Sequence, residues 1–333
     1  MGTSLRPVVS IGAVVTGATI NTTSNGVVES SNGADLNGVT ISSGSTYTAS
    51  ASGNTTQLDG TITNNGTLAI IGTPGFTVVT LGSDVTLQGG GTVTMDSTAA
   101  QAYIRGNGVT LTNSDNTIQG FGTIGDSGAL AIVNDKTIDA NASGKTLDIN
   151  DAGGGVTNTS GLLEATNGGT LTLHNTITGG NITSSGSGGG FNSTVNVEGA
   201  ISGATLNTLG GGVMQSGASG NPDLNGVTIS SGSTYTAGVA TRLDGTITNN
   251  GTLAIVGTPG FTVLTIGSDV TLSGGGTVTM DSTAAPAYIR GNGVTLTNSD
   301  NTIQGFGTVG DSGALAIVND KTIDATSPAG PST

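Results

Sequence analysis

The chain has 333 residues, 60 of them glycine, and its 21 acidic side chains outnumber the 7 basic ones to give a net charge of −14. The sequence has no apolar run near the 20 residues of a membrane-spanning helix, and an acidic chain without a basic cluster is repelled by nucleic acid. The lack of cysteine excludes thiol chemistry, and the abundance of Gly, Thr, Ser and Asn disfavours helices.

Short β-type runs follow one another along the chain, bounded by Gly, Asn, Asp or Ser. Within each run an apolar residue alternates with Thr, Asp, Asn or Ala, which is the period-two pattern of a half-buried strand. In chain order, the clearest predicted strands are Thr61–Thr63, Thr67–Ile71, Val85–Leu87, Thr92–Met95, Val109–Thr112, Ala129–Val133, Thr146–Ile149, Thr170–Leu173 and Thr194–Val197.

A long internal repeat organises these runs. The segment that begins at Asp35 returns 188 residues later at Asp223, and Leu58–Ala140 matches Leu243–Ala325 without a gap. The two copies differ there at six positions, four of which exchange one branched aliphatic residue for another, and such exchanges predict buried sites. A fifth exchange, Gln101 for Pro286, predicts a loop because proline cannot donate to a strand ladder.

The repeat predicts three parts of the chain. Residues 1–200 would be a first solenoid unit, residues 201–326 a second and truncated unit of the same continuous solenoid, and residues 327–333 a Pro- and Ser-rich tail or linker. The start of the chain lacks the pattern of a signal peptide. A repeat cut part-way through suggests a fragment of a longer array.

The short strands and scarce aromatics favour an all-β fold, a right-handed parallel β-helix (β-solenoid) with irregular rungs. Its narrow interior would be filled by aliphatic side chains, and its hand follows the crossover rule. A β-sandwich would need longer strands and aromatic anchors, and a disordered chain would lack sustained apolar alternation. The spacing of the runs predicts about 15 rungs, with corners whose Asn side chains could stack into hydrogen-bonded ladders.

The candidate contact residues are Tyr103 and Arg105 with their copies Tyr288 and Arg290, which lie in identical Ala-Tyr-Ile-Arg-Gly-Asn-Gly segments. A Tyr/Arg pair repeated along a solenoid could contact sugar rings or a partner surface. The interpretation that the sequence favours is instead that these side chains cap the interior of a rung.

No catalytic residue, cofactor or metal ligand is predicted. The only imidazole, His174, has no orienting partner near it in sequence, which favours a solvent-facing strand residue. The aspartates are scattered singly among turn residues, and no calcium-binding loop pattern occurs, so only adventitious calcium is left open. The chain is therefore expected not to be an enzyme.

Thr-x-Thr pairs raise ice binding as an alternative function, because flat threonine arrays can order water. The pairs are unevenly separated in sequence, which argues against one regular face, and threonine as the polar half of an exposed strand is the simpler interpretation. They occur at Thr46/Thr48, Thr61/Thr63, Thr92/Thr94, Thr110/Thr112 and Thr170/Thr172.

The runs Gly108–Gly125 and Gly168–Leu173 resemble the β-helical stalks of bacterial autotransporter passengers and filamentous haemagglutinin-like surface adhesins. The resemblance extends in style over nearly the whole chain and implies a secreted, extracellular, non-enzymatic rod at the bacterial cell surface. Its partners would be a glycan or protein receptor on a host or neighbouring cell, and its open terminal rungs could associate end to end. A carbohydrate-active β-helix, such as a polysaccharide lyase or a tailspike-like depolymerase, is the alternative of another class.

Overall fold

The computed structural model describes residues 6–23, 26–50, 55–72, 75–96, 100–126, 128–150, 153–238, 240–257, 260–282 and 284–325. These residues form 42 β-strands and no helix, so none of them makes a helix long and apolar enough to cross a membrane. The all-β prediction is confirmed. The tail expected over 327–333 lies outside the described residues.

The strands of the first half of the chain are β1 Val8–Ile11, β2 Val14–Thr16, β3 Thr19–Ile20, β4 Val27–Ser30, β5 Ala34–Asn37, β6 Thr40–Ile41, β7 Thr46–Ser50, β8 Thr55–Asn64, β9 Thr67–Ile71, β10 Thr77–Gln88, β11 Thr92–Asp96, β12 Ala102–Arg105, β13 Val109–Asn113, β14 Thr117–Gly120, β15 Gly122–Gly125, β16 Leu130–Asn134, β17 Thr137–Ala140, β18 Thr146–Asn150, β19 Val156–Thr157, β20 Leu162–Ala165 and β21 Thr170–Leu173. Those of the second half are β22 Ile177–Thr178, β23 Asn181–Ser185, β24 Ser187–Gly188, β25 Phe191–Asn192, β26 Thr194–Val197, β27 Ala200–Ser202, β28 Thr205–Leu209, β29 Val213–Ser216, β30 Asp223–Asn225, β31 Thr228–Ile229, β32 Thr234–Ala237, β33 Ala240–Asn249, β34 Thr252–Val256, β35 Thr262–Ser273, β36 Thr277–Asp281, β37 Ala287–Gly291, β38 Val294–Asn298, β39 Thr302–Phe306, β40 Thr308–Val309, β41 Leu315–Asn319 and β42 Thr322–Asp324.

A strand pairs in parallel with the equivalent strand one coil later, and three strand segments make one coil. Thus β1 pairs with β4, β2 with β5 and β3 with β6. The long strands β8 and β10 each supply two of these segments because they bend across a corner. The described residues complete about 13 coils of a parallel β-solenoid, fewer than the 15 expected. The solenoid is confirmed, and its right hand stays a prediction.

The chain divides into two compact units. Unit 1 comprises residues 1–164 and 168–171, and unit 2 comprises residues 165–167 and 172–333. This division reflects spatial contacts, whereas the repeat boundary predicted near residue 200 reflects sequence similarity. Each unit has its own parallel strand columns and its own apolar interior.

The interior of each unit is a column of inward-pointing side chains held in register. In unit 1, strand pairing stacks Tyr47 on Leu68, then Val93, Ile118 and Ile138, each no more than 1% exposed. Full burial of one such aliphatic side chain contributes about 1.5–3 kcal/mol. The alternating pattern of the sequence therefore acts as expected, since its apolar half builds the interior.

The interior also holds two tyrosines that the sequence pattern did not predict. Tyr47 and Tyr235 are fully buried, and burial raises the pKa of both phenols. The Tyr235 hydroxyl lies 3.0 Å from Ser216 Oγ, which in turn lies 2.7 Å from Thr241 Oγ1. A buried phenol needs such a partner, and these hydroxyls supply it.

Asparagine ladders close corners of the coils, as predicted. Asn113 Nδ2 donates to Asn134 Oδ1 at 2.9 Å, and Asn134 Nδ2 donates to Asn158 Oδ1 at 2.7 Å on the next coil. All three side chains are fully buried. In unit 2, Asn298 Nδ2 donates to Asn319 Oδ1 at 2.7 Å. The ladder satisfies polar groups that would otherwise be costly to bury.

The aliphatic exchanges between the copies lie in two environments. Positions 79 and 81 and their counterparts at 264 and 266 are buried, as is Ile124. Ile71 and Val256 are only half-buried because each ends its strand, and Val309 is half-buried in the coil of β40, so the buried-site prediction is wrong there. Gln101 and Pro286 lie outside strands, as predicted.

Candidate contact surface

Tyr103 and Arg105 lie on the outer face of β12. Their neighbours Ala102 and Ile104 point inward and are 0% and 3% exposed, whereas Tyr103 and Arg105 are half-buried. The alternation of a strand thus sends the Tyr/Arg pair outward. The favoured interpretation, that these side chains cap the rung interior, is therefore wrong.

Arg105 is held by an aspartate from the following coil. Its Nε and Nη2 atoms donate to the two carboxylate oxygens of Asp126 at 2.5 and 2.6 Å, a bidentate pair. Asp126 follows β15 and has a φ of 57°, a left-handed conformation that aspartate tolerates better than most residues. This hydrogen bonding raises the pKa of Arg105, which stays charged.

Two aromatic rings complete the surface. The Arg105 guanidinium carbon lies 4.1 Å from the centroid of the Tyr103 ring, within cation–π range. Phe76, 53% exposed, meets Tyr103 edge to face with the centroids 6.3 Å apart. The Tyr103 hydroxyl donates to Gln101 Oε1. We call Phe76, Tyr103, Arg105 and Asp126 the aromatic–arginine cluster of unit 1.

Unit 2 repeats this cluster. Arg290 donates from Nε and Nη2 to Asp311 at 2.6 and 2.7 Å, and its guanidinium carbon lies 3.9 Å from the Tyr288 centroid. The hydrogen bonds from Arg290 lower the pKa of Asp311. Phe261, the counterpart of Phe76, is 49% exposed. The sequence identified the Tyr/Arg pair but missed Asp126 and Asp311, which pairing of successive coils brings close.

A cleft of about 260 Å³ adds a second candidate contact in unit 1. Phe121 and Met95 supply apolar walls, and Lys145 Nζ lies 5.7 Å from the Phe121 centroid. The Asp96 and Gln119 side chains add polar groups to the lining of the cleft. The lining residues are Thr94, Met95, Asp96, Gln119, Gly120, Phe121, Asn141 and Ala142.

Paired carboxylates at equivalent positions, which the sequence did not single out, occur in both units. Asp35 faces Asp59 on the next coil, and burial followed by repulsion from Asp59 raises the pKa of Asp35. In unit 2, burial and the neighbouring Asp244 raise the pKa of Asp223 to about 6, although Arg242 opposes the shift. Asp35 Oδ1 and Asp223 Oδ1 are both buried without a hydrogen-bond partner.

His174 follows β21 and does have a partner. Its Nδ1 atom lies 3.0 Å from Glu198 Oε2, and the two side chains are 30% and 13% exposed. The imidazole does face solvent in part, as expected, but the premise that it has no partner is wrong, since the pairing of coils brings a carboxylate from 24 residues away. A His–Glu pair is one element of acid–base chemistry, but it is not a catalytic site by itself.

The outward threonines form regular columns despite their uneven sequence spacing. Strand pairing places Thr46, Thr67, Thr92, Thr117 and Thr137 in one register column of unit 1. The Thr-x-Thr pairs themselves do not share one face. Those on β7 and β11 lie in this column, those on β8 and β13 in a second, and that on β21 in a third. The neighbouring column is mixed, however, and runs Thr48, Ala69, Thr94, Gln119 and Asp139.

No cluster of three or more His, Asp or Glu side chains able to hold a metal ion occurs among the described residues. Comparison with known proteins adds no identity: no family model, curated protein or solved structure matches this chain.

Proposed function

We propose that this chain is an adhesive rod segment of a large, repetitive, secreted bacterial surface protein. One observation carries the proposal: a β-solenoid presents an outward-facing aromatic–arginine cluster of the same composition in each unit. A repeated contact site gains avidity on a surface that displays many copies of one ligand.

The chemistry of the cluster favours a neutral saccharide as the ligand. Asp126 and Asp311 already neutralise the two guanidinium groups, so little positive charge is left for an anion. The net charge of −14 opposes acidic polymers further. The exposed Phe76 ring and the Tyr103 face offer the apolar surface on which the C–H face of a sugar ring packs.

Binding to immobilised neutral and sialylated oligosaccharides tests the proposal. We expect binding to neutral sugars, and we expect the double variant Tyr103→Ala/Tyr288→Ala to lose at least about tenfold in affinity, because each lost aromatic contact is worth roughly 1 kcal/mol or more. The matched control is Thr86→Ala/Thr271→Ala, which truncates outward threonines at equivalent positions of β10 and β35. Unchanged binding by the tyrosine variant would overturn the assignment of the site.

The paired carboxylates favour a second candidate, cleavage of a polysaccharide, because a carboxyl group with a raised pKa can act as a general acid. A reducing-end assay on the sugars bound in the first experiment separates the two functions. If the parent chain cleaves these sugars and the double variant Asp35→Asn/Asp223→Asn does not, the function is polysaccharide cleavage and not adhesion. Surface display is tested separately, by antibody labelling of intact cells that produce the chain.

A further inference from the structure

The coil made by β40, β41 and β42 has one open side. Each strand pairs in parallel with one neighbour, β37, β38 and β39 respectively. Among the described residues, no strand pairs with their other edge. An open parallel edge presents unpaired backbone donors and acceptors to any strand of matching shape.

The inward side chains of this coil are uncovered. Ile317 is 41% exposed and Ile323 is 49% exposed, although both belong to interior columns. Leu315, at the start of β41, is half-buried. An apolar surface that continues a solenoid interior has the composition of a core, not of an ordinary exposed face.

Unit 1 shows the same surface closed. Residues 122–140 differ from residues 307–325 only by Ile124 in place of Val309, yet there Ile132 and Ile138 are 1% and 0% exposed. The covering strands in unit 1 are β18, β19 and β20, which pair with β15, β16 and β17 respectively. Their register places Ile149 on Ile124 and Val156 on Ile132.

Hydrogen bonds also join β16 to the coil that covers it in unit 1. In unit 1 the Ile132 amide donates to Gly155 O at 3.0 Å, and Asn134 Nδ2 donates to Asn158 Oδ1 at 2.7 Å. At the open edge, the counterpart Asn319 is exposed, and its Nδ2 donates only to Lys321 O at 3.4 Å within its own turn. The amide that would extend the ladder therefore lacks its acceptor.

Close packing adds a further requirement. A Cβ atom on Gly154 would lie 2.1 Å from Leu130 O, so the covering coil needs glycine where it crosses the start of β16. The counterpart of Leu130 at the open edge is Leu315. The cover is thus defined by aliphatics at positions 147, 149 and 156, glycine at 154 and asparagine at 158.

We propose that the edge formed by Thr308–Asp324 is a docking surface for one further parallel β-coil with the sequence features of residues 141–165. The occupant adds two strands in the register that β18 and β19 use in unit 1, and a third that pairs with β42 as β20 pairs with β17. Main-chain hydrogen bonds provide affinity, and the aliphatic, glycine and asparagine positions provide specificity. This inference is independent of the proposed adhesive function.

An extended chain tests the proposal, with a second copy of residues 141–165 placed directly after Ala325. We expect the Ile317 amide to exchange at least about tenfold more slowly than in the parent chain, since its counterpart Ile132 is hydrogen-bonded under the covering coil. Binding of an apolar dye should fall in parallel. The control extension carries Leu147→Asp and Val156→Asp in the added copy and should protect nothing.

Substitutions in the parent chain keep the test interpretable. Ile317→Asn should leave the unfolding midpoint of the parent nearly unchanged but abolish the protection in the extended chain, whereas Ile132→Asn should destabilise the parent. Equal exchange in the extended chain and its Asp control, with both folded by circular dichroism, would refute the docking surface. Protection of Ile317 that rises with parent concentration would assign the edge to a second copy of the chain and overturn the proposed occupant.

Discussion

Asp35 and Asp223 occupy the same place in their repeats, but their neighbours differ by one residue. Gln57 Nε2 donates to Asp59 Oδ2 at 2.6 Å in unit 1, whereas Arg242 binds Asp244 in unit 2 and lies 3.7 Å from Asp223. Arg242 does not cancel the rise in the pKa of Asp223, because its hydrogen bonds go to Asp244. The orphaned Oδ1 and the raised pKa of Asp223 indicate that this carboxyl is poorly matched to its charged form.

This mismatch predicts a pH dependence of stability. Because folding raises the pKa of Asp223 from 3.8 to about 6, the folded state binds the proton more tightly than the unfolded state. The associated stabilisation is complete below the unfolded pKa and is lost as pH rises through about 6. Asp223→Asn should therefore stabilise the chain at pH 7 by roughly 1 kcal/mol, discounted because the side chain is partly exposed to solvent.

Urea unfolding between about pH 4 and 7 measures this effect. The variant should show a flatter stability profile than the parent over that range. Asp135→Asn, at an exposed aspartate outside the pair, is the control and should leave the profile unchanged. A parallel profile for Asp223→Asn and the parent would contradict the prediction.

At the scale of the element, the corner between β14 and β15 depends on one glycine. Gly120 ends β14, a single residue separates it from β15, and its φ is +118°. A Cβ atom there would lie 1.9 Å from Met95 O on the preceding coil. Gly305 repeats this close approach in unit 2 at 2.2 Å from Met280 O.

Gly120→Ala should destabilise the chain by more than about 2 kcal/mol, because backbone strain and a backbone clash add. Gly90→Ala is the matched control, since Gly90 also has a positive φ of 75° but faces open space. That control should lose only about 1 kcal/mol. Thermal unfolding of both variants measures the difference, and equal losses would show that conformation alone matters.

Local pattern predicted the elements better than it predicted their partners. The alternation around Leu68 and Val93 and the Asn corners were enough to predict a solenoid with Asn ladders, because both depend on neighbours in sequence. The Arg105–Asp126 and His174–Glu198 pairs were not predictable, because they join residues 21 and 24 apart across coils of irregular length. Buried Tyr47 was missed because the interior was expected to hold aliphatic side chains, although alternation with Thr46 and Thr48 places the ring on the inward face.

At the scale of the whole molecule, stability is built from contacts between successive coils. Leu87 packs in register on Ile62 in unit 1, and Leu272 packs on Ile247 in unit 2. Both leucines are 1% exposed. An array of this kind is stabilised by the sum of its coils and the interfaces between neighbouring coils.

Leu87→Ala and Leu272→Ala should each destabilise by about 3 kcal/mol, because each leaves a cavity in an equivalent interior. The double variant should lose the sum to within about 0.5 kcal/mol, since the two sites belong to different units. Hydrogen exchange resolved by coil is the measurement, because each change should lower protection chiefly in adjoining coils. Loss of protection spread evenly over the chain would show a single cooperative unit instead.

The small hairpin of Ser187–Gly188 and Phe191–Asn192 shows how a coil can grow without disturbing its neighbours. It is antiparallel, turns through Gly189 and Gly190 with positive φ angles, and leaves β23 and β28 in register. Residues can thus be inserted outside the stacked coils without changing the register of the strands on either side of the insertion. The same tip offers protein engineers a position at which a foreign epitope could be grafted and displayed.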